Sequence, residues 1–203
     1  MKKNKISKEW ISRQRRDIYV RKSKQDGFRS RAVYKLQEIN EKHKILKNGF
    51  SVIDLGAAPG GWSQYVIEKF MNCKLLSIDL KEMEPIGNSY QILGDFNEAS
   101  TKEKIIDYFA EKVDLVMSDM AVNTTGNKNL DSVVTGELTL EALRFAKNEL
   151  KQNGSFVSKI FMGSTFNEIV SEAKQNFKDI KIYKPLSSRK ESKESFIICK
   201  KLR

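Results

Sequence analysis

From residue 51 onward, short apolar runs alternate with segments of helical periodicity. "SVIDLGA", "CKLLSIDL", "YQILGDF", "VDLVMSDMA", "GSFVSKIF", "IKIYKP" and "SFIICKKL" read as strands. The segments near 61–70, 99–111, 136–151 and 165–176 read as helices, the third with Leu138, Ala142, Phe145 and Ala146 on one face. Such alternation predicts an α/β fold, a mostly parallel sheet of seven strands with helices on both faces. The last two runs are separated only by "LSSRKESKE". That is too short for a helical crossover, so these strands are predicted to pair antiparallel as a hairpin. A further helix over 30–43 is predicted to join the N-terminal stretch to the sheet. With no repeat, linker or low-complexity tract, the 203 residues predict one domain spanning 1–203. Its parts are an N-terminal segment over 1–35 and an α/β core over 51–203.

In an open parallel sheet, ligands bind beyond the carboxyl ends of the strands, where the strand order switches. That rule points to Asp54 through Trp62, and to Asp79, Asp95 and Asp119, which close the second, third and fourth strands. One such carboxylate is explained as a helix cap. A set of them beside a glycine loop is better explained by a polar ligand. "DLGAAPGGW" is neither G-x-G-x-x-G nor a Walker A sequence, but Gly56, Gly60 and Gly61 let backbone approach a ligand closely. The acids, Asp54 among them, suit a ligand with amino or sulfonium charge and ribose hydroxyls better than a pyrophosphate. Asp79 stands about 20 residues beyond the loop, where a ribose-binding acid is placed in dinucleotide sites. Asp95 is placed to accept a hydrogen bond from an adenine amino group. An S-adenosylmethionine site fits these features, with a dinucleotide site as the alternative.

Charge adds a second partner. The net charge is +11, and residues 1–35 carry 13 Lys/Arg against Glu9, Asp17 and Asp26, so almost the whole excess lies there. Phosphate-rich partners are attracted by so concentrated a field. Trp10, Tyr19, Phe28 and Tyr34 are interleaved with it, to pack inward or to stack on bases. A solvated helical face or a mitochondrial presequence is the plainer alternative. The missing Arg/Ser pattern and the absence of a linker favour nucleic acid. Cys73 and Cys199 stand far apart and suggest neither a disulfide framework nor a metal site. No apolar run approaches a bilayer span. A cytoplasmic protein is expected. His43, in "EKHKILK", reads as a surface residue.

Lys159 is out of place in this pattern, because Phe156, Val157, Ile160 and Phe161 around it read as a buried strand. A lone lysine there is ordinarily one that snorkels to water. The stretches "DGFRSRAVYKLQEI", "VIDLGAAPGGWSQYV", "DLVMSDMAVNTTG" and "GSFVSKIF" give it a different setting. In order and spacing they resemble the FtsJ/RlmE family of RNA ribose 2'-O-methyltransferases over almost the whole chain. The resemblance implies a Rossmann-like methyltransferase fold whose last strand inserts antiparallel. It implies S-adenosylmethionine contacts from Gly60, Trp62, Asp79, Asp95 and Asp119. It also places the family's Lys-Asp-Lys-Glu tetrad on Lys35, Asp119, Lys159 and Glu194.

In that tetrad Lys159 is the expected proton acceptor, because burial and a neighbouring cation both favour a neutral amine. Lys35 would polarise the hydroxyl or hold a phosphate, and the carboxylates would orient both. One departure is visible: Val122 stands where the family commonly has proline after "DMA". The resemblance further implies a uridine of 23S ribosomal RNA in the 50S particle as substrate, and a monomer without an obligatory protein partner. A tRNA anticodon-loop ribose is an alternative substrate, and a catalytically inactive RNA-binding relative an alternative function. Base methylation is disfavoured by the missing Pro-Pro-aromatic motif and by cysteines far from the site. An NAD-dependent oxidoreductase is disfavoured by the glycine loop.

Overall fold

The computed structural model describes residues 17–121 and 128–203. In chain order the elements are α1 (Ile18–Gln25), α2 (Val33–His43), β1 (Ser51–Leu55), α3 (Gly61–Lys69), β2 (Lys74–Asp79), β3 (Tyr90–Leu93) and α4 (Ala99–Phe109). They continue with β4 (Val113–Ser118), α5 (Lys128–Glu149), β5 (Leu150–Phe161), α6 (Phe166–Asn176), β6 (Phe177–Tyr183) and β7 (Glu194–Leu202). The seven strands form one sheet in the order β3-β2-β1-β4-β5-β7-β6. Every neighbouring pair is parallel except those of β7, which runs antiparallel to both β5 and β6. The expected hairpin is therefore present, with its second strand inserted inside the sheet.

Period-two alternation divides each strand's apolar residues between two cores. Ile53, Leu76, Val116, Phe156 and Ile197 face one side, under α4, α5 and α6. Val52, Leu75, Leu115, Val157 and Ile198 face the other, under α2 and α3. Helix α2 buries Val33, Leu36 and Ile39 completely. At about 1.5–3 kcal/mol per buried aliphatic side chain, this seats it firmly on the sheet.

Three boundaries differ from the sequence pattern. Helix α5 begins at Lys128 rather than near 136. Gly136 reads as a helix start, but it lies inside the helix, where a Cβ would collide with Thr165 Oγ1. Strands β5 and β6 begin at Leu150 and Phe177, each directly after a helix, a few residues before their apolar runs predict. Val122 and Trp10 lie outside the described residues.

From Asp17 onward, the described part of the N-terminal stretch is tied into the fold. Asp17 caps α1, accepting from the N–H groups of Tyr19 (3.0 Å) and Val20 (3.4 Å). Tyr34 is buried, with Tyr19 at 5.4 Å and Phe28 edge-on at 6.2 Å between ring centroids. These three aromatics pack inward. His43, expected at the surface, is half-buried with its ring 5.4 Å from that of Tyr183. The pairing of β6 with β7 brings that tyrosine within reach of the end of α2. Among the described residues, no helix is long and apolar enough to cross a membrane, and no cluster of His, Cys, Asp or Glu is arranged to hold a metal.

Candidate active site

The order of the strands switches between β1 and β4, which are hydrogen-bonded neighbours although β2 follows β1 in the chain. Ligands of open α/β sheets lie in the crevice at such a point. Register and helical phase direct four charged side chains toward it. Lys159 and Val157 share a strand face, and Val157 belongs to the core under α2. Phe196, paired with Lys159 across β5 and β7, belongs to the same core. Two residues before Phe196, Glu194 opens β7 on that face. Lys35 is carried down from α2 beside the buried Leu36 and Ile39. Asp119 follows the last residue of β4.

The four groups form one ionic cluster. Lys35 Nζ lies 3.0 Å from Glu194 Oε1 and 3.4 Å from Asp119 Oδ2. Lys159 Nζ lies 3.0 Å from Asp119 Oδ1 and donates to the Asp119 carbonyl at 2.6 Å. Lys159 is only 6 % exposed, and Lys35 and Glu194 9 % each. Burial alone would lower the Lys35 amine, but Asp119 and Glu194 outweigh it and hold the amine above the ordinary lysine range. Burial would raise the Asp119 carboxyl, but Lys159 and Lys35 outweigh that and hold it below the ordinary range. The cluster is asymmetric: Lys35 has two carboxylates, while Lys159 shares one of them and a backbone carbonyl. Phe196 lies beneath Lys35, its ring centroid 5.5 Å from Nζ.

The other predicted residues lie at the same sheet edge. Gly60 has φ +98°, and a Cβ there would stand 2.5 Å from Ile86 Cδ1. Only glycine fits both the conformation and the contact. Asp79 accepts from Ala58 N–H (2.9 Å) and Lys81 N–H (2.8 Å), one bond on each oxygen. Both oxygens keep a lone pair able to accept a further hydrogen bond. Asp95 accepts from Asn97 N–H at 2.9 Å on one oxygen only. A rim of half-exposed acceptors around a glycine turn suits a cationic, hydroxyl-bearing nucleoside such as S-adenosylmethionine. Trp62 faces a ligand with its backbone rather than its ring. Its indole is buried and packs 5.8 Å from the Phe196 ring, and its Nε1–H donates to Ala32 O at 2.8 Å. Its side chain is committed to the protein, and what it offers a ligand is backbone at the first turn of α3. Asp54, expected to add charge to the edge, is 1 % exposed. Burial, against the bond from Ser63 Oγ and with Asp119 and Asp79 nearby, pushes its carboxyl up to about 7.

Several residues that hold the site were not apparent in the sequence. Ser188 Oγ donates to Glu194 Oε1 at 2.8 Å. Both oxygens of Glu38 accept from the β6–β7 loop, from Leu186 N–H (2.6 Å) and Ser187 N–H (2.9 Å). Arg31 bonds Asp17 and the Ser187 carbonyl. Arg29 donates 2.6 Å bonds to the carbonyls of Glu84 and Pro85, closing the β2–β3 loop over Gly60. The only available signal was the density of Ser, Arg and Glu in "DGFRSR" and "LSSRKESKE".

A family model described as FtsJ-like methyltransferase matches residues 28–202. The chain belongs to the FtsJ-like methyltransferase family. It is 62% identical over 203 residues to "Ribosomal RNA large subunit methyltransferase E" of Pelagibacter ubique, covering 100% of both chains. It is 46% identical to the protein of the same name from Rickettsia akari, over 93% of this chain and 86% of that one. A crystal structure from Plasmodium falciparum, assigned as a ribosomal RNA methyltransferase, superposes with a TM-score of 0.79 at 32% identity, over 86% of this chain and 98% of the other. Within this FtsJ-like chain, the ionic cluster sits at the edge where strand order switches, beside the glycine turn.

Proposed function

We propose that this protein transfers a methyl group from S-adenosylmethionine to a ribose 2'-hydroxyl of large-subunit ribosomal RNA, acting on a uridine of 23S RNA in the 50S particle. The carrying observation is the buried cluster of Lys35, Asp119, Lys159 and Glu194 beside the acceptor-lined glycine turn. Membership of the FtsJ-like family and the large-subunit ribosomal RNA names of its relatives support that reading. A monomer acting in the cytoplasm without an obligatory protein partner accords with it, as does a single unit spanning the chain.

When bound, S-adenosylmethionine supplies an electrophilic methyl on a sulfonium centre. Gly60, the first turn of α3, Asp79, Asp95 and Asp119 would hold it, with Leu80 offering an exposed apolar face beside Asp79. The chain's own contribution is alignment and proton transfer. A ribose hydroxyl is a weak nucleophile at neutral pH, so a positioned base and fixed approach are needed. Lys35, paired with two carboxylates, stays charged and polarises the hydroxyl oxygen. Lys159, with the smaller share of negative charge, accepts the hydroxyl proton at Nζ after releasing one to solvent, since only the neutral amine offers a lone pair. Asp119 holds Lys159 through both its side chain and its carbonyl, and Glu194 fixes Lys35. Incubation with methyl-labelled S-adenosylmethionine and large-subunit particles from cells lacking the gene tests the proposal. Label on a ribose is expected; label on a base, or none from folded protein, refutes it.

A further inference from the structure

The tetrad is nearly closed off by protein, with Lys159 and Glu194 6 % and 9 % exposed. A ribose cannot reach such groups while its nucleotide stays stacked in a helix. The nucleotide must be drawn out of its strand, leaving a gap between its neighbours. The β6–β7 loop, residues 184–193, stands at the edge where that gap would open. β6 ends and β7 begins there, and Ser188 donates directly to Glu194.

The backbone of this loop is held at several points. Glu38 accepts from two consecutive N–H groups, Arg31 bonds the Ser187 carbonyl, and Lys184 Nζ donates to Ser192 O at 2.5 Å. Pro185, Ser187 and Ser188 are buried. Between them Leu186 is 84 % exposed, the most exposed large apolar side chain among the described residues. A single exposed leucine is ordinary on a mobile loop. This one is presented by a loop whose neighbours on both sides are buried, two residues from a serine that touches the tetrad. Met162, 52 % exposed, stands at the end of β5, its N–H on the Lys193 carbonyl at 3.3 Å. The loop carries Lys190 and Lys193 beside Glu191, while its other two cations are engaged within the protein, Lys184 on Ser192 O and Arg189 on Asp17. Rigid apolar tips set among cations are how proteins wedge between stacked bases while holding the flanking phosphates.

We propose that Leu186 is an RNA wedge, inserted between the bases flanking the methylated nucleotide so that its ribose can enter the tetrad. The inference rests on the RNA ribose methylation proposed above. The test uses large-subunit particles from cells lacking the gene, with wild-type protein and the variants Leu186→Ala and Leu186→Met. Leu186→Ala should lower kcat/KM by about tenfold to a hundredfold, and Leu186→Met should stay within about threefold of wild type because methionine keeps the apolar reach. Saturating wild-type protein should also raise 2'-hydroxyl acylation of the nucleotides flanking the methylated one, and saturating Leu186→Ala should not. A kcat/KM for Leu186→Ala within about twofold of wild type overturns the wedge, as does equal flanking reactivity with both proteins. Failure of the wild-type protein to label ribose would instead remove the underlying function.

Discussion

Asp54→Asn separates the cost of a buried carboxyl from the rest of the fold. Asp54 lies on β1, 1 % exposed, and accepts from Ser63 Oγ at 2.7 Å, which in turn contacts Ser77 Oγ at 2.7 Å. Burial raises its carboxyl from 3.8 to about 7; the Ser63 bond opposes the rise, while Asp119 and Asp79 add to it. In the unfolded chain it ionises near 4, so between about pH 4 and 7 the unfolded state has lost a proton that the folded state keeps. Stability therefore falls as pH rises through that window, by about 1.4 kcal/mol per unit and about 4 kcal/mol in all, and it levels off above about pH 7.

Asparagine does not titrate, so the variant should lack this slope. Its amide leaves a donor short of a partner, a fixed cost of about 1–3 kcal/mol that does not vary with pH. The informative quantity is therefore the difference between the two proteins, measured by denaturant unfolding from pH 4.5 to 8.5. Wild type should lose about 3 kcal/mol or more relative to Asp54→Asn across the range. A difference constant to within about 0.5 kcal/mol would show that Asp54 is ionised throughout, and that the burial argument fails.

Lys159→Ala should bind S-adenosylmethionine within about twofold of wild type while turnover falls by about 10²–10⁴, the range for losing a positioned base. Turnover near wild type would take Lys159 out of the proton-accepting role. Arg29→Ala should weaken S-adenosylmethionine binding in calorimetry without RNA by about tenfold, by freeing the β2–β3 loop from its two 2.6 Å anchors. Arg29→Lys should not restore it, because an ammonium cannot span two carbonyls as the guanidinium fork does. Unchanged cofactor affinity in Arg29→Ala would show that the loop holds itself. Deleting residues 1–16, which carry seven Lys/Arg, should flatten the slope of log K for RNA against log salt by about 2 or more. An unaltered slope would locate the RNA contact elsewhere.

What the sequence made legible follows from the range of the forces involved. Strand and helix identity depends on local periodicity, and the apolar doublets Val52-Ile53, Leu75-Leu76 and Leu115-Val116 announced a sheet buried on both faces before any tertiary contact was known. The tetrad was legible only through the resemblance of four stretches to the FtsJ/RlmE family, since the strand pattern alone left Lys159 a snorkelling oddity. What stayed hidden depends on pairs distant in the chain. Glu38 grips the Leu186 and Ser187 amides, and Arg31 reaches the Ser187 carbonyl, neither of which any local pattern can signal. Charge shows the same limit. Counting side chains makes residues 1–35 a uniform basic surface, but Arg29 and Arg31 are spent on internal acceptors, one on the loop over Gly60 and the other on Asp17 and the β6–β7 loop. Arg21, Lys22 and Lys24 on α1 remain exposed. Bonds to neutral carbonyls leave Arg29 its charge but commit its donors to the loop, and Arg31 is offset by Asp17, so neither guanidinium is a free clamp for phosphate.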